Sequence, residues 1–103
     1  MTIYIGRRTE HGAVVDRQDE HGFRLLPTRL DLVNHSPTGL EWNYHGSGPA
    51  QLAVALLVDA TGDPEWSLAH HQRYKRAVVA LLPYAGWELS QEKVLEWVEA
   101  EKA

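Results

Sequence analysis

The chain has 103 residues, 44% of them hydrophobic and 23% charged, with a net charge of −4; this is the profile of one ordinary globular domain, not of a disordered or low-complexity segment. It contains no cysteine, which excludes disulfides, thiolate chemistry and cysteine-based zinc sites together. The acidic balance argues against nucleic-acid binding driven by an overall field, no apolar run is long enough to span a bilayer, and the N-terminus lacks a signal-peptide pattern, so a cytoplasmic protein without a membrane partner is expected.

Residues 2–8 (Thr-Ile-Tyr-Ile-Gly-Arg-Arg) are rich in β-branched and aromatic side chains and read as a strand. The triplet Glu-His-Gly then occurs at residues 10–12 and again at 20–22, each ending in a glycine suited to a turn. Between the copies, Ala13 to Gln18 is a second strand, and Phe23 to Leu26 a third, so the first quarter of the chain predicts a meander. Residues 30–35 fit either a strand or a helical turn. Ser36-Pro37-Thr38-Gly39 is a turn by its residue types. Leu40 to Tyr44 alternates large apolar with polar side chains, as a half-buried strand does, which would place Leu40, Trp42 and Tyr44 on one face.

The chain is organised around Gly46-Ser47-Gly48-Pro49, which carries an extended segment into an apolar helix. Gly46 and Gly48 suit positive φ or a close approach, Ser47 or Gly48 suits an N-cap, and Pro49 suits the first helical position. From Leu52 to Val58 the helix is apolar on nearly all sides, the pattern of a helix buried all round. Gly62 ends it, and Asp63-Pro64-Glu65 starts a second helix running to about Leu82, with Leu68, His71, Lys75, Val78 and Leu82 on one side. Trp87 to Leu89 is a possible short strand. Ser90 caps a third helix with Val94, Leu95, Trp97 and Val98 inward. The prediction is therefore a single α+β domain over 1–103, with an antiparallel sheet in residues 2–44 packed on helices at about 49–61, 64–82 and 90–100.

No catalytic constellation emerges. Ser47 lies in a sharp turn with His35, His45 and Asp59 as nominal partners, but Gly46-Ser47-Gly48 lacks the Gly-x-Ser-x-Gly elbow. The six histidines show no metal-ligand spacing. His70 and His71 point about 100° apart on a helix, and only His35 and His45 bracket a hairpin and stand to converge, so neither metal nor other cofactor is expected. Free N–H groups at the helix start could hold an anion, with Ser47, Gly48, His45, His35 and Gln51 around it. The spacing matches neither the Walker nor the dinucleotide pattern, which favours plain architecture there. For contact with another macromolecule the candidates are Trp42, Tyr44, Arg7, Arg8, Arg73 and Arg76, and for single strands of nucleic acid Arg24, Arg29 and Tyr4 in addition. The net charge makes a protein the preferred partner and nucleic acid the lesser one.

The run His35-Ser36-Pro37-Thr38-Gly39-Leu40-Glu41-Trp42, then Tyr44, then Gly46-Ser47-Gly48-Pro49-Ala50-Gln51-Leu52-Ala53, together with Tyr4-Ile5-Gly6-Arg7, resembles a family of small prokaryotic and phage proteins classed as a domain of unknown function. The resemblance covers nearly the whole chain. It implies a compact α+β domain from bacteria, archaea or their mobile elements, and no activity. Two readings follow. The preferred one is a non-catalytic interaction module of an accessory protein. The other is a small anion- or nucleotide-binding protein, hydrolytic in one version, using the helix start from Gly46 to Gln51.

Overall fold

The computed structural model describes residues 1–103 and has an α+β architecture, a four-stranded antiparallel sheet packed against three helices. Strands β1 (Ile3–Thr9), β2 (Gly12–Asp19) and β3 (Gly22–Leu25) form the meander, and β4 (Gly86–Ser90) pairs with β1, giving the order β3-β2-β1-β4. The two Glu-His-Gly triplets close the two hairpins in the same way. Gly12 and Gly22 take φ of 115° and 113°, the region where glycine carries no steric penalty. The side chains of Thr9 and Asp19 accept the loop N–H groups of His11 and His21 at 3.1 and 2.8 Å, satisfying donors that the tight loop leaves unpaired.

Helix α1 (Ser47–Thr61) is the core of the molecule. Every residue from Gly48 to Val58 is buried, which is why its sequence lacks a polar face. Gly62, at φ 68°, ends it with an N–H donated to the Val58 carbonyl at 2.8 Å. Helix α2 (Pro64–Ala77) starts where Asp63 accepts the Trp66 N–H at 3.1 Å, and α3 (Gln91–Lys102) where Ser90 accepts the Lys93 N–H at 3.1 Å. One cluster joins Tyr4, Val15 and Trp87 of the sheet to Leu52, Leu56 and Leu57 of α1, Tyr74 of α2, and Val94 and Val98 of α3. No helix is long and apolar enough to cross a membrane.

Several local expectations are corrected. Leu40 to Tyr44 is not a strand, and the sheet draws its fourth strand from Gly86–Ser90 instead. Asn43 sits at φ 74°, breaking the extended run. Its N–H and Nδ2 donate to the carbonyls of Val79 (3.2 Å) and Leu82 (2.8 Å), so the segment is laid over the core rather than paired in a ladder. Leu40 and Trp42 are buried while Tyr44 is exposed, so the three do not share a face. Helix α2 ends at Ala77, five residues short of the expected Leu82, and a 3-10 turn at Val79–Leu81 follows, with Val79 buried in the core. The N-cap of α1 is Gly46, without a side-chain cap, not Ser47 or Gly48.

The two glycines at the start of α1, Gly46 and Gly48, serve close approach and not positive φ. A Cβ on Gly46 would meet the Tyr44 ring at 2.3 Å, and one on Gly48 would meet Glu41 Cβ at 2.6 Å. On α2 the buried residues are Ser67, His71 and Tyr74; Leu68 and Lys75 are half-buried. In α3 Val94 and Val98 are buried, while Leu95 lies half-buried towards Met1.

Candidate functional site

Strand register assigns each side chain to a face, because residues directly opposite one another project to the same side. Ile3, Gln18, Phe23 and Ser90 form one row across the sheet. Ile5, Asp16, Leu25 and Glu88 form the next, and Arg7, Val14 and Gly86 the third. The alternate residues Tyr4, Gly6, Val15, Arg17 and Trp87 project to the other side, where Tyr4, Val15 and Trp87 join the helices in the core. None of Ile3, Ile5, Val14, Phe23 or Leu25 belongs to that core. All three helices thus pack on one face, and the other is bare.

The bare face is apolar for its position. Phe23 and Leu25 are each 66% exposed, with Ile3, Ile5 and Val14 half-buried beside them. At its centre Arg7 Nε donates to Asp16 at 2.5 Å, so that the two charges there cancel. Its rim carries Glu88. β3 is also an edge strand of four residues, whose shortness and central Arg24 limit uncontrolled strand pairing.

A second feature lies at the start of α1. A polar cleft of about 290 Å³ is lined by Ser36, Thr38, Glu41, Tyr44, Ser47 and Gly48, with His11 and Gly39 among the others. Glu41 is held there by Arg8, whose Nη1 donates to both carboxylate oxygens at 3.0 Å. The Arg8 guanidinium is sandwiched between the Tyr84 ring at 3.8 Å and the Trp42 ring at 4.5 Å, and its Nε donates to the Tyr84 carbonyl at 2.8 Å. The cleft therefore holds a carboxylate beside the helix start, which offsets the attraction of the free N–H groups for an anion.

A third feature is a network across the sheet–helix interface. Tyr4 Oη donates to Asp59 at 2.7 Å, Arg17 Nε donates to the same oxygen at 2.8 Å, and Gln91 Nε2 donates to Tyr4 Oη at 3.0 Å. Burial, then the Asp59 contact, pushes the Tyr4 phenol above its ordinary range. The network joins β1, β2, α1 and α3.

The sequence-derived candidates separate on this framework. Ser47 and Gly48 line the cleft, as does Tyr44. Gln51 is fully buried and is spent on the fold, accepting the His35 N–H at 2.9 Å and donating to the Thr28 carbonyl at 2.7 Å. His35 meets His71, not His45, which is exposed. Ser47 and Asp59 stand roughly 18 Å apart along α1 at 1.5 Å per residue, so no triad assembles. Trp42, 1% exposed, and Tyr4, fully buried, present no stacking surface. Arg7 lies on the bare sheet face; Arg8 is committed to the Glu41 and Tyr84 contacts. Arg73 pairs with Glu101 at 2.9 Å, and Arg76 is exposed on α2. Sequence reading missed Phe23 and Leu25. Their signal was present in the alternation of Gly22 to Leu25, but strand alternation does not say which face has a partner.

The model of a family of unknown function, DUF6166, matches residues 4–100. The chain belongs to that family. The DUF6166 match runs from β1 almost to the end of α3, so the bare face, the cleft and the histidine pair all fall inside the shared domain. No curated protein and no solved structure matches the chain.

Proposed function

We propose that this chain is a non-catalytic interaction module that holds a protein partner on the bare face of its sheet, with Phe23 and Leu25 as anchors and Arg7 with Asp16 setting orientation. The observation that carries the reading is the pair of large apolar side chains, each 66% exposed, on a face that no helix covers. Aromatic and aliphatic anchors of this kind supply most of the energy of protein interfaces. The setting belongs to the same reading: an accessory protein of a bacterium, an archaeon or a phage, acting in the cytoplasm. Nucleic acid is the lesser partner, since the aromatic residues among the stacking candidates are mostly buried and the chain is acidic.

A photoreactive phenylalanine at position 23, expressed in the native host, tests this. One discrete adduct with a second protein is expected, absent when the same residue stands at Glu65 on the helical side. That partner, purified, should shift the amides of β2 and β3 and lose binding at least tenfold on Phe23→Asp. Equal labelling from both positions, or shifts confined to the helices, would overturn the reading.

A second reading keeps the polar cleft at Ser47 and Gly48 as a site for a small polar or anionic ligand, a nucleotide included. Its support is that the cleft opens beside the helix start instead of being filled. Titration with phosphate and mononucleotides should then give saturable shifts at Ser47, Gly48 and Thr38, weakened by Ser47→Ala.

A further inference from the structure

The turn at residues 36–39 shares the polar cleft with the start of α1, and a buried residue one helical turn further along places it there. Gln51 Oε1 accepts the His35 N–H at 2.9 Å and its Nε2 donates to the Thr28 carbonyl at 2.7 Å, so the chain enters Ser36 from a point fixed on the helix. Gly39 closes the turn, its N–H donating to the Ser36 carbonyl at 3.3 Å. Ser36 is 8% exposed, lines the cleft, and its hydroxyl has no hydrogen-bond partner in the protein. A buried hydroxyl left without a partner is costly, and the cleft is where one can reach it.

The helix start brings donors and an acceptor to the same space. The Ser47 and Gly48 N–H groups precede the first intrahelical bond, which Ala50 makes to the Gly46 carbonyl at 3.0 Å, and no side chain caps them. The Tyr44 hydroxyl stands 3.2 Å from where a Gly48 Cβ would be, and Glu41 packs against the same point. Of about four acceptor positions on a carboxylate, Glu41 uses three, two for Arg8 Nη1 and one on Oε1 for the Trp42 N–H at 3.2 Å. One position on Oε2 stays free.

The geometry points to a site for a neutral sugar, one pyranose unit whose adjacent hydroxyls bridge the Ser47 and Gly48 N–H groups and the Glu41 carboxylate, with Ser36 Oγ as a further partner. The inference rests on the second reading above, that the cleft binds a small ligand, and names that ligand's class. A hydroxyl both donates and accepts, so a vicinal diol satisfies the carboxylate and the N–H groups at once, whereas a phosphate with no proton to donate would set its charge beside Glu41. No lysine or arginine lines the cleft, and the charge of Arg8 is spent on Glu41, so an anion finds no free cation there. A pyranose carries C–H groups on its flat faces, which the half-exposed Tyr44 ring covers. At about 290 Å³ the cleft lies at the small end of ligand sites, the scale of one such ring. A ligand this small, held by a few hydrogen bonds, binds with a Kd on the order of 1 mM.

Amide NMR of the whole chain, titrated with the methyl glycosides of glucose, galactose, mannose and N-acetylglucosamine, tests the site. Phosphate, adenosine monophosphate and tetrahydropyran-2-methanol, which has the ring without the diol, form the other arms. At least one glycoside should give saturable shifts at Thr38, Ser47 and Gly48, weakened about fivefold by Ser36→Ala and by Tyr44→Leu and unchanged by Arg76→Ala on the exposed side of α2. Tyr44 is 49% exposed, so Tyr44→Leu keeps the test available if the Ser36 variant unfolds. Saturation by phosphate or the nucleotide with none by the glycosides would overturn the sugar and leave the cleft reading standing, while silence from every probe would overturn both. Shifts that tetrahydropyran-2-methanol matches, or that survive both variants, would equally overturn the proposal.

Discussion

The Trp87 indole lies so close over Gly6 that a Cβ on that glycine would stand 2.2 Å from Cε2 of the ring. The two residues face each other across the β1–β4 pair, and the ring meets Trp42 edge-on at 5.4 Å. Glycine at position 6 is what allows β4 to close the sheet with a tryptophan in the core. Gly6→Ala should therefore displace Trp87 and cost about 1–3 kcal/mol as an overpacked core does, read as a lower melting temperature and altered tryptophan fluorescence.

Arg8 binds three segments together through Glu41, the Tyr84 carbonyl and two aromatic faces. Lysine keeps the charge but has neither the planar fork nor the stacking surface. Arg8→Lys should cost about 1.5–3 kcal/mol, the range for hydrogen bonds to charged groups. Chemical denaturation measures it, and a midpoint equal to the parent's would show that charge alone suffices.

Leu56 and Phe23 are opposites in burial, fully buried against 66% exposed. Leu56→Ala leaves a cavity inside the central helix packing and should cost about 2–5 kcal/mol. Phe23→Ser should stay within about 0.5 kcal/mol of the parent, as surface changes do. Comparable losses from both would mean that the sheet face carries part of the fold.

Burial holds the His71 imidazole below its ordinary value; the Leu68 carbonyl opposes this, while His35 and Lys75 push in the same direction. The unfolded chain therefore takes up this proton first as pH falls. The contribution to stability is complete above the unfolded value of about 6.5 and is lost as pH drops through it towards the lowered native value. Asp19, held low by the His21 N–H and then by Arg17, and Asp31, held low by Arg29, act only in the carboxylate range. The melting temperature should fall between pH 7 and pH 5, and His71→Gln should flatten that part of the profile.

Local chemistry made much of the fold legible in the sequence. Gly12 and Gly22 mark loops that need positive φ; Asp63 with Pro64, and Ser90, mark helix starts whose N–H groups need an acceptor. The unbroken apolar run of α1 marks a helix buried all round. These are interactions within a few residues, so short windows carry them. Of the sequence-derived candidates, Ser47, Gly48 and Tyr44 lie at the cleft and Arg7 on the bare face, placements that local chemistry alone does not fix.

Pairing between distant segments was decided by the tertiary structure alone. Leu40 to Tyr44 and Gly86 to Ser90 both carry strand-compatible patterns, but a strand exists only where a neighbour supplies the ladder, and β1 has one free edge. β4 takes it because Gly6 leaves room for Trp87, while Asn43 turns the other segment onto Val79 and Leu82. His35 likewise meets His71 and not His45 because α2 carries His71 back across the segment before α1. Phe23 and Leu25 stay bare because every helix packs on the opposite face, and period-two alternation cannot tell a covered face from an open one.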